Sequence, residues 1–296
     1  AQPVMNLSYA STRSDADADG RRGFTYFSAE ADFLPLAVDV PPGGVVSSER
    51  IWMSAFEEDA LIGLEAYAQA VADHQGIVPW HRREPGRRVP NGWNSWSGSG
   101  GTGGYGTDLN EALVLENLDW MATELRDWGM DWFQFDDGYE PTYGEWVWRS
   151  DRFPSGPRGL SDAIRARGFR PGIWIAPFTA YDDSSVFAEH PDWFIEKTPL
   201  GLIVSGDYNV LDLTHPDVQA WLSALMTEVR DDWGFDWVKV DFGYYAMMGA
   251  AYDDPDATRE AAWREGVQVV RDALGDDVFL LMVGVLGQNY GLVDSM

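Results

Sequence analysis

The sequence contains no cysteine, which excludes disulfides, thiolate metal sites and a cysteine nucleophile. Lysine is almost as scarce: Lys197 and Lys239 are the only two, and arginine supplies the remaining positive charge. No run of about 18 apolar residues occurs, so no membrane-spanning helix and no membrane partner are expected. Residues 1–20 lack a basic start, an apolar stretch and an initiator methionine. The chain is therefore expected to begin inside a longer protein, and its location is assigned as cytoplasmic. The four histidines, His74, His81, His190 and His215, show no ligand spacing, so neither a metal nor a cofactor is expected. Basic residues number 21 against 48 acidic ones, a net charge of −27. That sign excludes nucleic acid as a partner. An acidic, lysine-poor chain is expected of a high-salt cytoplasm, where screening removes the self-repulsion of such a charge.

What is present suffices for a large core: 296 residues, 45% of them hydrophobic. Segments 24–27, 33–40 and 50–56 have the look of short strands between Asp/Gly and Pro-Pro-Gly-Gly turns. Segment 59–73 has helical apolar spacing, and 82–88 is a basic linker containing proline and glycine. A domain boundary is expected near Pro90.

Beyond it, strands and helices alternate. The strands expected are 91–96, 131–136, 170–178, 236–242 and 278–285. Between them, helices are expected from an Asp108 cap with Glu111 three residues on, over 161–168, from Pro216 to Gly234, and over 260–274. The segment Glu124-Leu-Arg-Asp-Trp-Gly-Met-Asp-Trp-Phe-Gln-Phe-Asp-Asp-Gly-Tyr139 recurs, with one inserted Asp, from Glu228 to Tyr244. Repeated helix–glycine–strand units imply parallel strands joined by crossover helices. The expected fold is α/β, a partial (β/α)8 barrel, with a doubly wound open sheet as the alternative. About five strand units fit before Met296, whereas a closed barrel needs eight.

In a barrel the reacting groups stand at the C-terminal ends of the strands. Trp93, Trp96, Asp136, Asp137, Trp174 and Asp241 fall there. Indole faces cover the C–H faces of a pyranose and carboxylates accept from its hydroxyls, so this rim reads as a sugar site. Lys239 and Asp241 are two apart on one strand and point the same way. A buried ammonium needs a partner. The carboxylate of Asp241 or a substrate oxygen is expected to supply it, keeping Asp241 ionised as a nucleophile must be. A purely structural salt bridge is the alternative. By the repeat, Asp136 occupies the place of Asp241 and Gln134 that of Lys239. Trp128 and Trp233 at helix ends, and Trp132 and Trp237 at strand starts, are expected to be structural.

Six ordered motifs carry a resemblance: Gly92-Trp-Asn-Ser-Trp96, Phe133-Gln-Phe-Asp-Asp-Gly-Tyr-Glu140, Gly172-Ile-Trp-Ile-Ala-Pro-Phe178, His190-Pro-Asp-Trp193, Val210-Leu-Asp-Leu-Thr214 and Trp237-Val-Lys-Val-Asp-Phe242. From about Pro90 to Met296 the chain resembles the α-galactosidases of glycoside hydrolase family 36. The resemblance implies a β-sandwich remnant over 1–60, a helix and linker over 61–90, and a catalytic barrel over 91–296 that is incomplete at its C-terminal end. It also implies retaining chemistry on α-galactoside oligosaccharides. Asp241 would be the catalytic nucleophile, and Lys239 would touch both nucleophile and substrate. Asp136 and Asp137 would bind the galactose 4- and 6-hydroxyls, and Trp174 and Trp96 would line the pocket. A second carboxyl about 5–5.5 Å away would act as acid/base. Leu292-Val-Asp-Ser-Met296 resembles the opening of the motif that carries it, so Asp294 is not that residue and the acid/base is expected beyond Met296. The chain departs from the family where Ser97 and a glycine-rich insertion replace an aromatic residue, for which Tyr105 is a candidate substitute, and where Val283-Gly284 replaces a Cys-Gly. The same nucleophile serves α-galactosyl transferases of the raffinose or stachyose synthase kind, and without its acid/base the chain would be a sugar-binding fragment; both remain open alternatives. The resemblance also implies a homo-oligomer as a possible assembly.

Overall fold

The computed structural model describes residues 4–11, 25–32, 42–45, 60–96, 105–195, 208–248, 252–284 and 288–296. Two eight-residue strands, β1 (Val4–Ser11) and β2 (Thr25–Asp32), form an antiparallel pair with Val4 opposite Asp32 and Ser11 opposite Thr25. The strand expected at 24–27 is the start of β2. The alternation of Met5, Leu7 and Tyr9 against Asn6 and Ser8 is the sequence signal for β1. The strands expected at 33–40 and 50–56 lie outside the described residues.

Helix α1 (Ala60–Gln75) matches its apolar spacing and is followed by a single turn, α2 (Trp80–Arg83). The basic stretch after it is not a free linker. Trp80 is buried, the Arg87 guanidinium lies 4.1 Å from its ring centroid, and Arg83 is ion-paired with Asp294. These contacts tie the linker to the last strand of the sheet and the segment that follows it.

The alternating region then runs β3 (Gly92–Asn94), α3 (Glu111–Glu124), β4 (Trp132–Phe135), α4 (Gly156–Ala166) and β5 (Arg170–Ile175). A two-residue pair, β6 (Thr179–Ala180) and β7 (Asn209–Val210), flanks the short α5 (Ser185–Glu189). It continues with α6 (Pro216–Asp231), β8 (Trp237–Val240), α7 (Arg259–Leu274) and β9 (Phe279–Met282). The strands are shorter than expected, because pairing ends before the apolar runs do and residues such as Ala176 and Phe178 are buried beyond it. The cap of α3 is Asn110, whose Oδ1 accepts the Leu113 N–H at 3.1 Å, not Asp108, which ends a 3-10 turn. Glu111 instead accepts from the Ser155 backbone N–H at 2.8 Å. Gly129 and Gly234, the expected stops, have φ of +86° and +78°, a left-handed turn that a Cβ would strain.

Strands β3, β4, β5, β8 and β9 form one parallel sheet in chain order, without reversal. This overturns the doubly wound alternative, whose strand order must reverse. Period-two alternation divides the sheet into two faces. Phe133, Phe135, Ile173, Ile175, Val238, Val240, Leu280 and Met282 join the main core together with Val114, Leu118, Ile164, Leu222, Val229, Val267 and Val270 from the helices. On the other face, the strand starts hold a separate cluster of Trp132, Phe279 and Trp80, with Trp237 and Leu281 against it. Trp132 and Trp237 meet edge to face at 5.7 Å, and Arg170 lies over Trp132 at 4.2 Å. Both tryptophans are structural, as expected, and so is buried Trp233. Trp128 is not: it is 84% exposed, because α3 places Val114, Leu118 and Met121 on its buried stripe and ends before Trp128.

Candidate active site

Parallel strands put all their C-terminal ends on one rim. The face that holds tryptophans at the strand starts therefore presents Asn94, Gln134, Trp174 and Lys239 towards that rim, with Asp136 and Asp241 one residue beyond their strands. The Asp241 N–H donates to the Ile175 carbonyl at 3.0 Å, which continues the ladder by one rung and holds Asp241 at the sheet edge.

Asp136 is the hub. Its Oδ2 accepts from Lys239 Nζ at 2.8 Å, Asn94 Nδ2 at 3.0 Å and Gln134 Nε2 at 3.3 Å. Its Oδ1 accepts the Asp137 N–H at 3.2 Å, and its own N–H donates to Ser95 Oγ at 2.8 Å. Asn94 Nδ2 also donates to Gln134 Oε1. The expected pairing of Lys239 with Asp241 is therefore corrected: the ammonium reaches across β5 to Asp136.

Asp241 is held by other donors. Trp174 Nε1 donates to Oδ2 at 3.1 Å and the Phe242 N–H donates to Oδ1 at 2.8 Å. Phe242 has φ +53°, the left-handed region that bulky residues rarely enter. This kink lets its own amide face the preceding carboxylate. Its ring packs with Tyr208 at 5.6 Å, Tyr143 at 6.0 Å and Trp174 at 6.2 Å, contacts that hold the unfavourable conformation. Trp174 is buried among Tyr143, Trp146 and Phe242, so its indole edge, not an open ring face, serves the site.

Asp137 accepts the Tyr143 hydroxyl at 2.7 Å. Beside it lies Glu140, which the residue pattern did not single out. Glu140 is 6% exposed and its Oε2 accepts the Gly138 N–H at 3.4 Å. Burial first, then the hydrogen bond and charge of Asp137, push its carboxyl up to about 9. A glutamate set among Tyr139, Tyr143, Trp146 and Trp148 was the available sequence signal. Burial and the charges of Glu140 and Asp137 also raise the Tyr139 hydroxyl well above its ordinary value.

Asp136, Asp137, Trp174, Lys239 and Asp241 are thus joined by described contacts or by adjacency. Trp96 is exposed, and among the described residues no hydrogen bond or ring contact links its indole to the other five. Tyr105 packs on Trp93 at 6.5 Å and its hydroxyl accepts from Asn117 Nδ2 at 2.8 Å, so it is engaged beside α3. Asp294 is clamped by Arg271 at 2.8 Å and by Arg83. His215 caps α6 through Nδ1, and His190 stacks on Trp193 at 3.9 Å. Among the described residues no three His, Asp or Glu side chains form a group able to hold a metal ion, and no helix is long and apolar enough to cross a membrane.

The melibiase family model matches residues 105–271, more than half of the chain and all of Asp136, Asp137, Glu140, Trp174, Lys239 and Asp241. The chain belongs to the melibiase family. Within it, the chain is similar to α-galactosidases of glycoside hydrolase family 36. The Thermus thermophilus α-galactosidase TtGalA, solved in complex with stachyose, is 31% identical with a TM-score of 0.61, over 77% of this chain and 46% of that one. α-Galactosidase C of Emericella nidulans is 26% identical over 91% of this chain and 36% of its own length. The family 36 α-galactosidase AgaA of Geobacillus stearothermophilus is 21% identical with a TM-score of 0.54, over 66% of this chain and 28% of that one, which is a likeness of fold. This melibiase-family chain thus spans less than half the length of each of these relatives.

Proposed function

We propose that this melibiase-family protein is a retaining α-galactosidase, that its parallel sheet is part of a (β/α)8 barrel, and that Asp241 is its nucleophile. The observation that carries the reading is the pair of donors, Trp174 Nε1 and the Phe242 N–H, that hold both oxygens of Asp241 at the rim of the sheet. A carboxylate so held is fixed in direction for attack. Asp241 adds to the anomeric carbon while the leaving oxygen takes a proton from the acid/base. Water then cleaves the glycosyl-aspartate with that second group acting as base. The resemblance puts the second group in the motif that Leu292-Val-Asp-Ser-Met296 opens. Asp136 and Asp137 accept the galactose 4- and 6-hydroxyls. Lys239 pairs with Asp136, and its remaining protons can reach a sugar oxygen.

Stachyose and raffinose appear in structures of similar enzymes, and α-galactoside oligosaccharides are the substrate class proposed here. The test is hydrolysis of p-nitrophenyl α-galactoside by the full-length protein, with the anomeric proton of the first product followed by NMR. Retention, a mass adduct on Asp241 from a fluorinated galactosyl inhibitor, and loss of turnover in a folded Asp241→Ala variant are expected. Inversion, or an adduct elsewhere, overturns the assignment. Galactose passed to an added acceptor sugar in preference to water would make the protein a transferase with the same nucleophile.

A further inference from the structure

Asp136, Asp137 and Glu140 are three buried carboxyl groups in one corner of the rim, and one ammonium, that of Lys239, reaches them. The lysine goes to Asp136. Asp137 receives the Tyr143 hydroxyl, a neutral donor. Among the described residues, neither Asp137 nor Glu140 has an ion-pair partner. Two carboxyls in mutual contact and out of water cannot both ionise, so one proton is shared between them. Glu140 touches Asp137, and the Gly138 N–H already faces its Oε2.

We propose that Glu140 is a positioning residue: held as a neutral acid, it donates its proton to Asp137 and fixes that carboxylate as an acceptor aimed at a sugar hydroxyl. The inference rests on the galactosidase reading above. With Tyr143 and Glu140 both donating, Asp137 is oriented by two protein hydrogen bonds and keeps further lone pairs for substrate. The titratable and charged groups around the Asp137–Glu140 pair among the described residues include Asp137, Tyr139 and Tyr143 of its own loop, Tyr208 beside Tyr143, and beyond them Asp136 with Lys239 from β8. Ionisation of Glu140 turns a donor into a charge that repels Asp137, so galactoside binding weakens as pH rises through about 9.

The test compares Glu140→Gln, which keeps a donor, with Glu140→Leu, which does not, in the full-length protein. Glu140→Gln is expected to hold KM for p-nitrophenyl α-galactoside within about threefold, and Glu140→Leu to raise it about tenfold to a hundredfold with a smaller change in kcat. The alkaline fall in 1/KM of the wild type is expected to vanish in Glu140→Gln. That profile decides the matter if Glu140→Leu does not fold. A Gln variant as impaired as the Leu variant, or one with an unchanged alkaline limb, overturns the proposal. Infrared spectra of the sugar-free protein at pH 7 read the proton directly. A protonated-carboxyl band that Glu140→Gln removes supports the shared proton even if no galactoside is turned over, which would sink only the enzymatic reading. Absence of that band overturns the pair itself.

Discussion

Lys239 and Asp136 stand 103 residues apart in the chain and meet at 2.8 Å, with side-chain exposures of 17% and 3%. Replacing Lys239 by Met leaves a buried carboxyl group with only neutral donors, Asn94, Gln134 and the Asp137 N–H. Loss of one partner of such a pair costs about 3–5 kcal/mol. Lys239→Met is therefore expected to lower the urea midpoint. The double variant Lys239→Met/Asp136→Asn should recover part of that loss without recovering galactoside turnover. An equal midpoint for the single variant and the wild type would show that the amide donors suffice.

Trp174 has a more local task. Trp174→Phe keeps the ring packing against Tyr143 and Phe242 but removes the Nε1 donor to Asp241 Oδ2. A hydrogen bond to a charged group is worth about 1.5–3 kcal/mol. The expected result is a fall in kcat of about tenfold to a hundredfold, a small change in KM, and a thermal midpoint close to that of the wild type. A change confined to KM would assign Trp174 to substrate contact instead.

The parallel order of the strands was legible in the repeat of Glu124–Tyr139 at Glu228–Tyr244, since both copies carry the same glycine stop and strand. The shared face of Lys239 and Asp241 followed from their spacing alone. The partner of Lys239 did not, because spacing favours the neighbour two residues away, whereas the real contact depends on β5 lying between β4 and β8. Glu140 was hidden for a related reason. A glutamate in a turn after Asp-Asp-Gly is ordinarily solvated, and the packing of Tyr139 on Trp148, at 4.6 Å, and on Trp233, at 6.1 Å, depends on long-range folding. Trp128 erred the other way: a large aromatic at a helix end looks like core until the buried stripe of α3 is known to stop short of it.

Glu140 also marks stability. Its carboxyl is raised from 4.5 to about 9 in the folded chain. Below the lower value it is protonated in both states and has no effect on the balance. Between the two values the folded chain keeps a proton that the unfolded chain releases, so this group's contribution falls as pH rises, by at most about 1.4 kcal/mol per pH unit. Above the upper value the loss is complete and level. Glutamine has no proton to release. The urea midpoint of Glu140→Gln minus that of the wild type is thus expected to grow from about pH 4.5 to about pH 9 and then flatten. A difference independent of pH would mean that Glu140 is ionised in the folded state.

Salt sets two electrostatic effects against each other, and their signs differ. The described ion pairs include exposed ones such as Arg158–Asp162 and Arg230–Asp231, which screening weakens. Exposed pairs of this kind contribute little to stability, because solvent screens them and ordering two long side chains costs entropy. The net charge of −27 on 296 residues acts the other way, since compaction brings like charges together and screening relieves that repulsion. Raising ionic strength from 0.1 M to 1 M shortens the screening length from about 10 Å to about 3 Å. Repulsion summed over so large an excess outweighs a few weak pairs. The thermal midpoint is therefore expected to rise with sodium chloride over this range. Chloride is the salt to use, because sulfate would stabilise any fold by exclusion from its surface. A midpoint that falls would assign the dominant effect to the ion pairs and remove the case for a high-salt origin.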